Sequence, residues 1–344
     1  MSDMYNHQYT LHLCIERAGI NVPIHYNHVM MYNQIMRTTE FTDLIGNTPL
    51  VAMRHLQTPP GVTIYAKLES QNPTGSIKDR IVHKMIQIAE KAAIINPGDT
   101  IVEASSGNTA IALAMIGKQR DYKIHVVIPN DVAPSIADIL KLYGTTVTWC
   151  ESRVGMKGAI ETAIKLAKDN GYHYLDQFDN NANVDAHYET TGVEICNALP
   201  QVDVFIAGIG TGGTIMGVGR RLRETNPKVK LIGVTPRMGE RLQGLRTFSE
   251  GYVPPLLDLD YLDGRFLVDT STAANAARVA VEEEGLLAGI SSGATLSVAL
   301  RVAQGMKHGN IVVMFSDGGW KYLPAKPWDA AVDGLESLDE IHWW

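Results

Sequence analysis

Cysteine is scarce in this chain. Cys14, Cys150 and Cys196 are the three among 344 residues, odd in number and far apart. That excludes a disulfide framework or a zinc knuckle, and the expectation is reduced thiols, two of them buried. Charge is also scarce, at 19% Asp, Glu, Lys and Arg, so broad disorder is excluded. The net charge of −7 gives no reason to expect nucleic-acid binding. A small anionic substrate is still compatible, because a site can be locally positive on an acidic protein. No apolar run is long enough to cross a bilayer. The N-terminus lacks the basic stretch and apolar core of a secretory signal. The expectation is a soluble, cytoplasmic protein with no nucleic-acid or membrane partner.

What is present is apolar bulk. A hydrophobic content of 45% over this length buries a substantial core and suggests two domains. Residues 1–38 differ from the rest, being rich in His, Asn, Tyr and Met without a sustained period. They read as an extension, and Met30, Met31 and Met36 are alternative starts. His12, Cys14, His25 and His28 there show no recognised ligand spacing, so no metal site is expected.

From about residue 40 strands alternate with helices. VTIYAKLE (62–69), DTIVEA (99–104), KIHVVIP (123–129), TVTWC (146–150), DVFIAGIG (203–210), KLIGVTP (230–236) and NIVVMFSD (310–317) read as strands. Helical patterns lie between them. In the first, Ser76 is expected to cap, Asp79 to complete a capping box, and Ile81, Met85 and Ile88 to share one face. The alternation predicts an α/β fold of two open, mostly parallel twisted sheets flanked by helices. The expected division is an extension (1–38), an N-terminal α/β domain (39–182), a C-terminal α/β domain (183–323) and a tail (324–344). Residues of about 48–70 are expected to cross to the C-terminal sheet.

In such sheets ligands bind where strands lead into helices. Four of these turns hold unusual residues. In SQNPTGSIKDR (70–80), Lys78 sits in the first turn of a helix, where the dipole and free N–H groups disfavour an ammonium. In EASSGNTA (103–110), Ser105, Ser106, Asn108 and Thr109 crowd around Gly107 as a carboxylate cradle or an ordinary cap. GIGTGGTIMG (208–217) offers Gly210, Thr211, Gly212, Gly213 and Thr214 to a phosphate. Gly208, Gly210 and Gly213 also fit a dinucleotide fingerprint. The next strand, however, ends in Thr235, Pro236 and Arg237 rather than in a ribose-binding carboxylate. AGISSGAT (288–295) places Ser291 and Ser292 before a helix, where a simple cap is an equal reading.

Together these turns resemble the tryptophan-synthase-β-like (fold type II) pyridoxal-phosphate enzymes, specifically the cysteine synthases. IGNTPLV (45–51), KLESQNPTGSIKDR (67–80), SSGNT (105–109), GTGGT (210–214) and GISSGA (289–294) stand in family order over about residues 38–323. The resemblance implies pyridoxal phosphate in a cleft between the domains. It implies Lys78 as the Schiff-base lysine and catalytic base, and Asn108 at the ring hydroxyl. Gly210 through Thr214 would lie at the phosphate and Ser291 at the pyridine nitrogen. Ser105, Ser106, Thr109 and Gln177 would hold the substrate carboxylate. A serine beside the pyridine nitrogen makes the ring a weaker electron sink than an aspartate would, which suits β-elimination and disfavours transamination.

PRMGERLQGLRTF (236–248) and DGGWKYL (317–323) resemble the B-type enzymes, most of all the branch that uses O-phosphoserine. Arg246 is then the phosphate-binding arginine. The implied reaction replaces the β-substituent of O-phospho- or O-acetyl-L-serine by sulfide, through an aminoacrylate, to give L-cysteine. A thiocarboxylated carrier protein is the other implied sulfur source, a homodimer the implied assembly, and the tail a cover anchored by Trp343 and Trp344. The competing readings are a cystathionine β-synthase-like or serine/threonine dehydratase-like enzyme, a non-catalytic scaffold and a nicotinamide dehydrogenase.

Overall fold

The computed structural model describes residues 40–105, 107–130, 134–151, 155–240, 242–248, 253–325 and 341–342, all within one compact unit, Thr38–Trp344. Two sheets carry the chain. The larger runs β1 (Leu50–Ala52), β2 (Val62–Leu68), β10 (Gly309–Phe315), β7 (Val204–Gly208), β8 (Lys230–Pro236), β9 (Gly264–Val268) and β11 (Ile341–His342), in that spatial order. Its inner pairings are parallel; β1 and β11 are antiparallel edges. The smaller is wholly parallel, in the order β5 (Thr146–Cys150), β4 (Lys123–Pro129), β3 (Thr100–Ala104) and β6 (His173–Tyr174).

Central strands are buried on both faces and read as unbroken apolar runs. In β10, Ile311, Val313 and Phe315 face one core, and Val312 and Met314 face the other. The first core is closed by α8 (Thr270–Glu284) and α9 (Ile290–Gln304), whose alanines let the two helices approach closely. The second is closed by α7 (Gly213–Thr225). The smaller sheet packs α1 (Lys78–Lys91) and α2 (Asn108–Gln119) on one side and α4 (Gly155–Asn170) on the other. A fourth helix, α3 (Pro134–Leu142), connects β4 to β5.

Three local expectations are corrected. The Ser76–Asp79 capping box does not form. Asp79 turns back and accepts from the backbone N–H of Thr74 at 2.7 Å and from its hydroxyl, while Ser76 Oγ accepts from the Lys78 N–H at 3.3 Å. The buried face of α1 is Ile81, Val82, Met85, Ile86 and Ala89, and Ile88 stands 41% exposed. The helix packs against both α2 and the short helix Ala182–Ala186, which widens the buried face beyond one helical stripe. Cys150 and Cys196 are half-buried thiols rather than buried ones.

Between β6 and β7 lies a segment the apolar pattern does not announce. Here α5 (Ala182–Ala186) runs into a π-helical turn, His187–Thr191, and on into α6 (Gly192–Ala198). Such wide turns often mark functional places. Gly192 and Gly217 permit the close approach of this segment to α7: a Cβ on Gly217 would meet the Val184 carbonyl at 2.3 Å.

Candidate active site

Lys78 is the first residue of α1, and the chain before it is tied to the end of β10. Ile77 donates its N–H to the Ser316 carbonyl at 2.9 Å, and Ser76 bridges Asp317. The lysine therefore stands at the carboxyl end of the sheet. Its amine pKa falls to about 8, with burial as the largest cause, Asp317 opposing it and Arg246 reinforcing it. Desolvation, more than the helix dipole expected from sequence, softens this ammonium.

Lys78, Asn108, Thr211, Thr214, Leu245 and Ser291 line one cavity. The loop after β7 forms one end of it. Gly212 takes φ +86°, and a Cβ there would lie 2.9 Å from Leu257. A Cβ on Gly210 would meet the Gly244 carbonyl at 2.6 Å, and one on Gly213 would overlap the Asn183 side chain at 1.9 Å. The loop is thus bare backbone at the start of a 13-residue helix, where unpaired N–H groups and the dipole favour a phosphate. Thr211 and Thr214 add hydroxyls. This cradle, with an amine and polar side chains sharing the cavity, fits a phosphorylated aldehyde cofactor.

The opposite wall belongs to the smaller sheet. Ser105 is buried, and its Oγ caps the Gly107 and Ala110 N–H groups at 3.0 and 3.1 Å. Thr109 donates to Gln177 Oε1 at 2.8 Å, and Gln177 Nε2 donates to the Ala104 carbonyl at 2.7 Å. Ser105, Thr109 and Gln177 are therefore brought together; Ser106 lies outside the described residues. Beneath them Glu103 is fully buried, and burial followed by the charge of Asp176 pushes its carboxyl well above the usual range.

Residues 242–248 pass between the two walls. The Arg246 N–H donates to the Ile209 carbonyl at 2.8 Å, and its guanidinium lies 4.3 Å from the Phe178 ring centroid. Ser291, the second residue of α9, is 5% exposed, with its Oγ 3.9 Å from where a Cβ on Gly244 would lie.

Sequence reasoning missed three residues here. Asn108 donates its amide to Asp317 Oδ2 at 2.7 Å and accepts from Lys321 Nζ at 2.7 Å. The Tyr322 hydroxyl donates to the same carboxylate oxygen at 2.5 Å. Burial raises the Asp317 pKa and lowers that of Lys321, each partly opposed by the other's charge. The stretch DGGWKYL had marked only a branch of the family; the return of the chain after β10 gives it this place.

The pyridoxal-phosphate-dependent enzyme family matches residues 41–317. This chain belongs to that family. A cysteine synthase of Staphylococcus aureus is 38% identical over 292 residues, covering 82% of this chain and 94% of that protein. A cysteine synthase B of Pseudomonas aeruginosa is 36% identical over 288 residues, covering 83% and 96%. Among solved structures, a hydrogen sulfide-producing enzyme of Fusobacterium nucleatum superposes with a TM-score of 0.80 at 38% identity, covering 83% of this chain and 100% of that one. The cofactor of this chain is pyridoxal phosphate. Among the described residues no helix is long and apolar enough to cross a membrane.

Proposed function

We propose that this pyridoxal-phosphate enzyme is a cysteine synthase that replaces the β-substituent of an activated L-serine with sulfide. The observation that carries the reading is the convergence of Lys78, Asn108, the 210–214 loop and Ser291 on one cavity. Lys78 would hold the cofactor's aldehyde carbon, Asn108 its ring hydroxyl, Ser291 its ring nitrogen, and Gly210 through Thr214 its phosphate. Bound there, pyridoxal phosphate supplies an electron sink for the bonds broken at Cα and Cβ.

The chain's own residues do the rest. Ser105, Ser106, Thr109 and Gln177 fix the substrate carboxylate. Lys78, with its amine pKa near 8, takes the Cα proton and later returns it. Arg246 draws the leaving group, which favours phosphoserine as donor. Sulfide, or a small thiocarboxylated carrier protein, adds at Cβ. The same reading includes a homodimer and two α/β domains at 39–182 and 183–323, with residues of about 48–70 crossing to the C-terminal sheet. The proposed cover role of the tail rests on Trp343 and Trp344, which lie outside the described residues.

The test is cysteine formation from acetylserine or phosphoserine plus sulfide, with borohydride labelling of the holoenzyme. Labelling of Lys78 and release of cysteine are expected. An unlabelled Lys78 would remove the reading, and turnover only with homocysteine would move it to a cystathionine β-synthase-like enzyme.

A further inference from the structure

His187 opens the π-helical turn and is 1% exposed. Its Nδ1 lies 3.0 Å from the hydroxyl of Thr191, and its Nε2 lies 3.1 Å from the hydroxyl of Thr214. Thr191 is fully buried. Thr214 is the second residue of α7 and lines the cavity with Lys78 and Asn108. One imidazole thus joins the π turn to the phosphate cradle.

The direction of these two hydrogen bonds follows from the anion. A phosphate only accepts, so the Thr214 proton must point at it. Thr214 Oγ1 is then the acceptor toward His187, which requires a proton on Nε2. A neutral ring with Nε2–H keeps a lone pair on Nδ1, and that lone pair requires Thr191 to donate. Neutrality is supported by the surroundings: burial, and then Arg80 and Lys78, push the imidazole pKa well down. A second strut has the same sense. Asn183 Nδ2 donates to Thr211 Oγ1 at 2.9 Å, leaving that hydroxyl's proton also free for the cradle.

We propose that His187 is a positioning residue that orients the Thr214 hydroxyl toward the bound phosphate through a one-way chain, Thr191 O–H to Nδ1, and Nε2–H to Thr214 Oγ1. The inference rests on the cofactor site proposed above. His187 and Thr191 stand four positions apart, the spacing at which side chains on one helical face meet.

Imidazole-nitrogen NMR of histidine-labelled wild-type holoenzyme tests it directly, with His187→Gln removing one signal from the eleven to assign it. The expected state is a neutral ring protonated on Nε2. A ring protonated on Nδ1, or on both nitrogens, overturns the proposal.

The second arm is cofactor dissociation from the holoenzymes of wild type, His187→Phe, Thr214→Val and the double variant. Each single change should weaken retention by about 10- to 100-fold, the size of a hydrogen bond to a charged group. The double variant should be no worse than the weaker single one, and His187→Gln, which restores an N–H at the Nε2 position, should recover most of the loss. Additive losses overturn the proposal. If His187→Phe does not fold, the wild-type tautomer still decides. Failed borohydride labelling of Lys78 would instead strike at the cofactor site, so the two failures are separable.

Discussion

The ammonium of Lys321 lies 2.7 Å from Asn108 Oδ1, inside a pocket where Lys321 is 3% exposed. The contact pins the side chain proposed to face the cofactor ring, and it brings a cation near the buried Asp317. A buried charged group that hydrogen-bonds a neutral partner contributes about 1.5–3 kcal/mol. Lys321→Met should lower unfolding stability by that amount in urea titrations. A loss below about 0.5 kcal/mol would show that the contact carries little free energy.

Arg246 stacks over Phe178, the neighbour of Gln177, and reaches the charge of Lys78. Arg246→Ala should reduce turnover with O-phosphoserine at least about tenfold more than with O-acetylserine, since the phosphate ester carries two negative charges on the bound donor and leaves with them, while the acetyl ester is neutral when bound and leaves as a singly charged acetate. Steady-state kinetics with both donors decide it, and equal losses would refute the assignment.

Burial of Lys78 has a thermodynamic signature in the cofactor-free protein. Its folded pKa, about 8, lies below the ordinary 10.5. Between those values the unfolded chain holds the proton more tightly than the folded one, so folding gains stability as pH rises through that window. Below it the full cost of burying the ammonium is present. Lys78→Met should therefore be more stable than the parent apoprotein near neutrality, with the gap narrowing as pH climbs. Urea melts of both proteins at several pH values would reveal a constant gap if the lysine were not buried.

Glu194 ties three elements together. It pairs with Lys67 of β2 at 2.6 Å and with Arg80 of α1 at 2.6 Å, and accepts the Asn47 N–H at 3.0 Å. Burial pushes its carboxyl up, but Arg80 and Lys67 more than offset that and hold it at about 2. Its stabilisation is therefore complete above the usual 4.5 and is lost as pH falls toward 2. Glu194→Gln should cost about 3–5 kcal/mol near neutrality, since it strips a partner from two buried cations. Its melting temperature should fall less steeply with acid than that of the parent. Parallel acid slopes in thermal melts would count against this account.

Much of the fold was legible because its central strands are buried on both sides. KIHVVIP and KLIGVTP run to the same residues in sequence and structure, and TVTWC, an edge strand with no buried residue, does so through its β-branched and aromatic content. Short elements escaped. GRFLV of β9 opens on Gly264 and Arg265, which leaves only three apolar residues in a row, and the 182–198 helical run carries His, Thr and Gly where a periodic stripe would need apolar residues. In the site, Lys78, Asn108 and the glycine loop were visible because each sits at a strand-to-helix turn. Asp317, Lys321 and His187 were not, since their importance comes from which distant side chain they meet. A lone histidine in AHYETT carries no spacing signal, and its neighbour Thr214 is 27 positions away.

The order of the strands in the larger sheet bears on how the protein is made. Strand β2 ends at Leu68, and its inward neighbour β10 begins at Gly309, so about 240 residues separate two strands that must lie side by side. At ~5–20 residues per second on a ribosome, the first hairpin waits roughly ten seconds to most of a minute for its partner. The smaller sheet is complete long before that. During the wait Ile64 and Ala66, which end up fully buried, have no strand to cover them, and that interval is when a nascent chain of this enzyme is most open to chaperones and to aggregation.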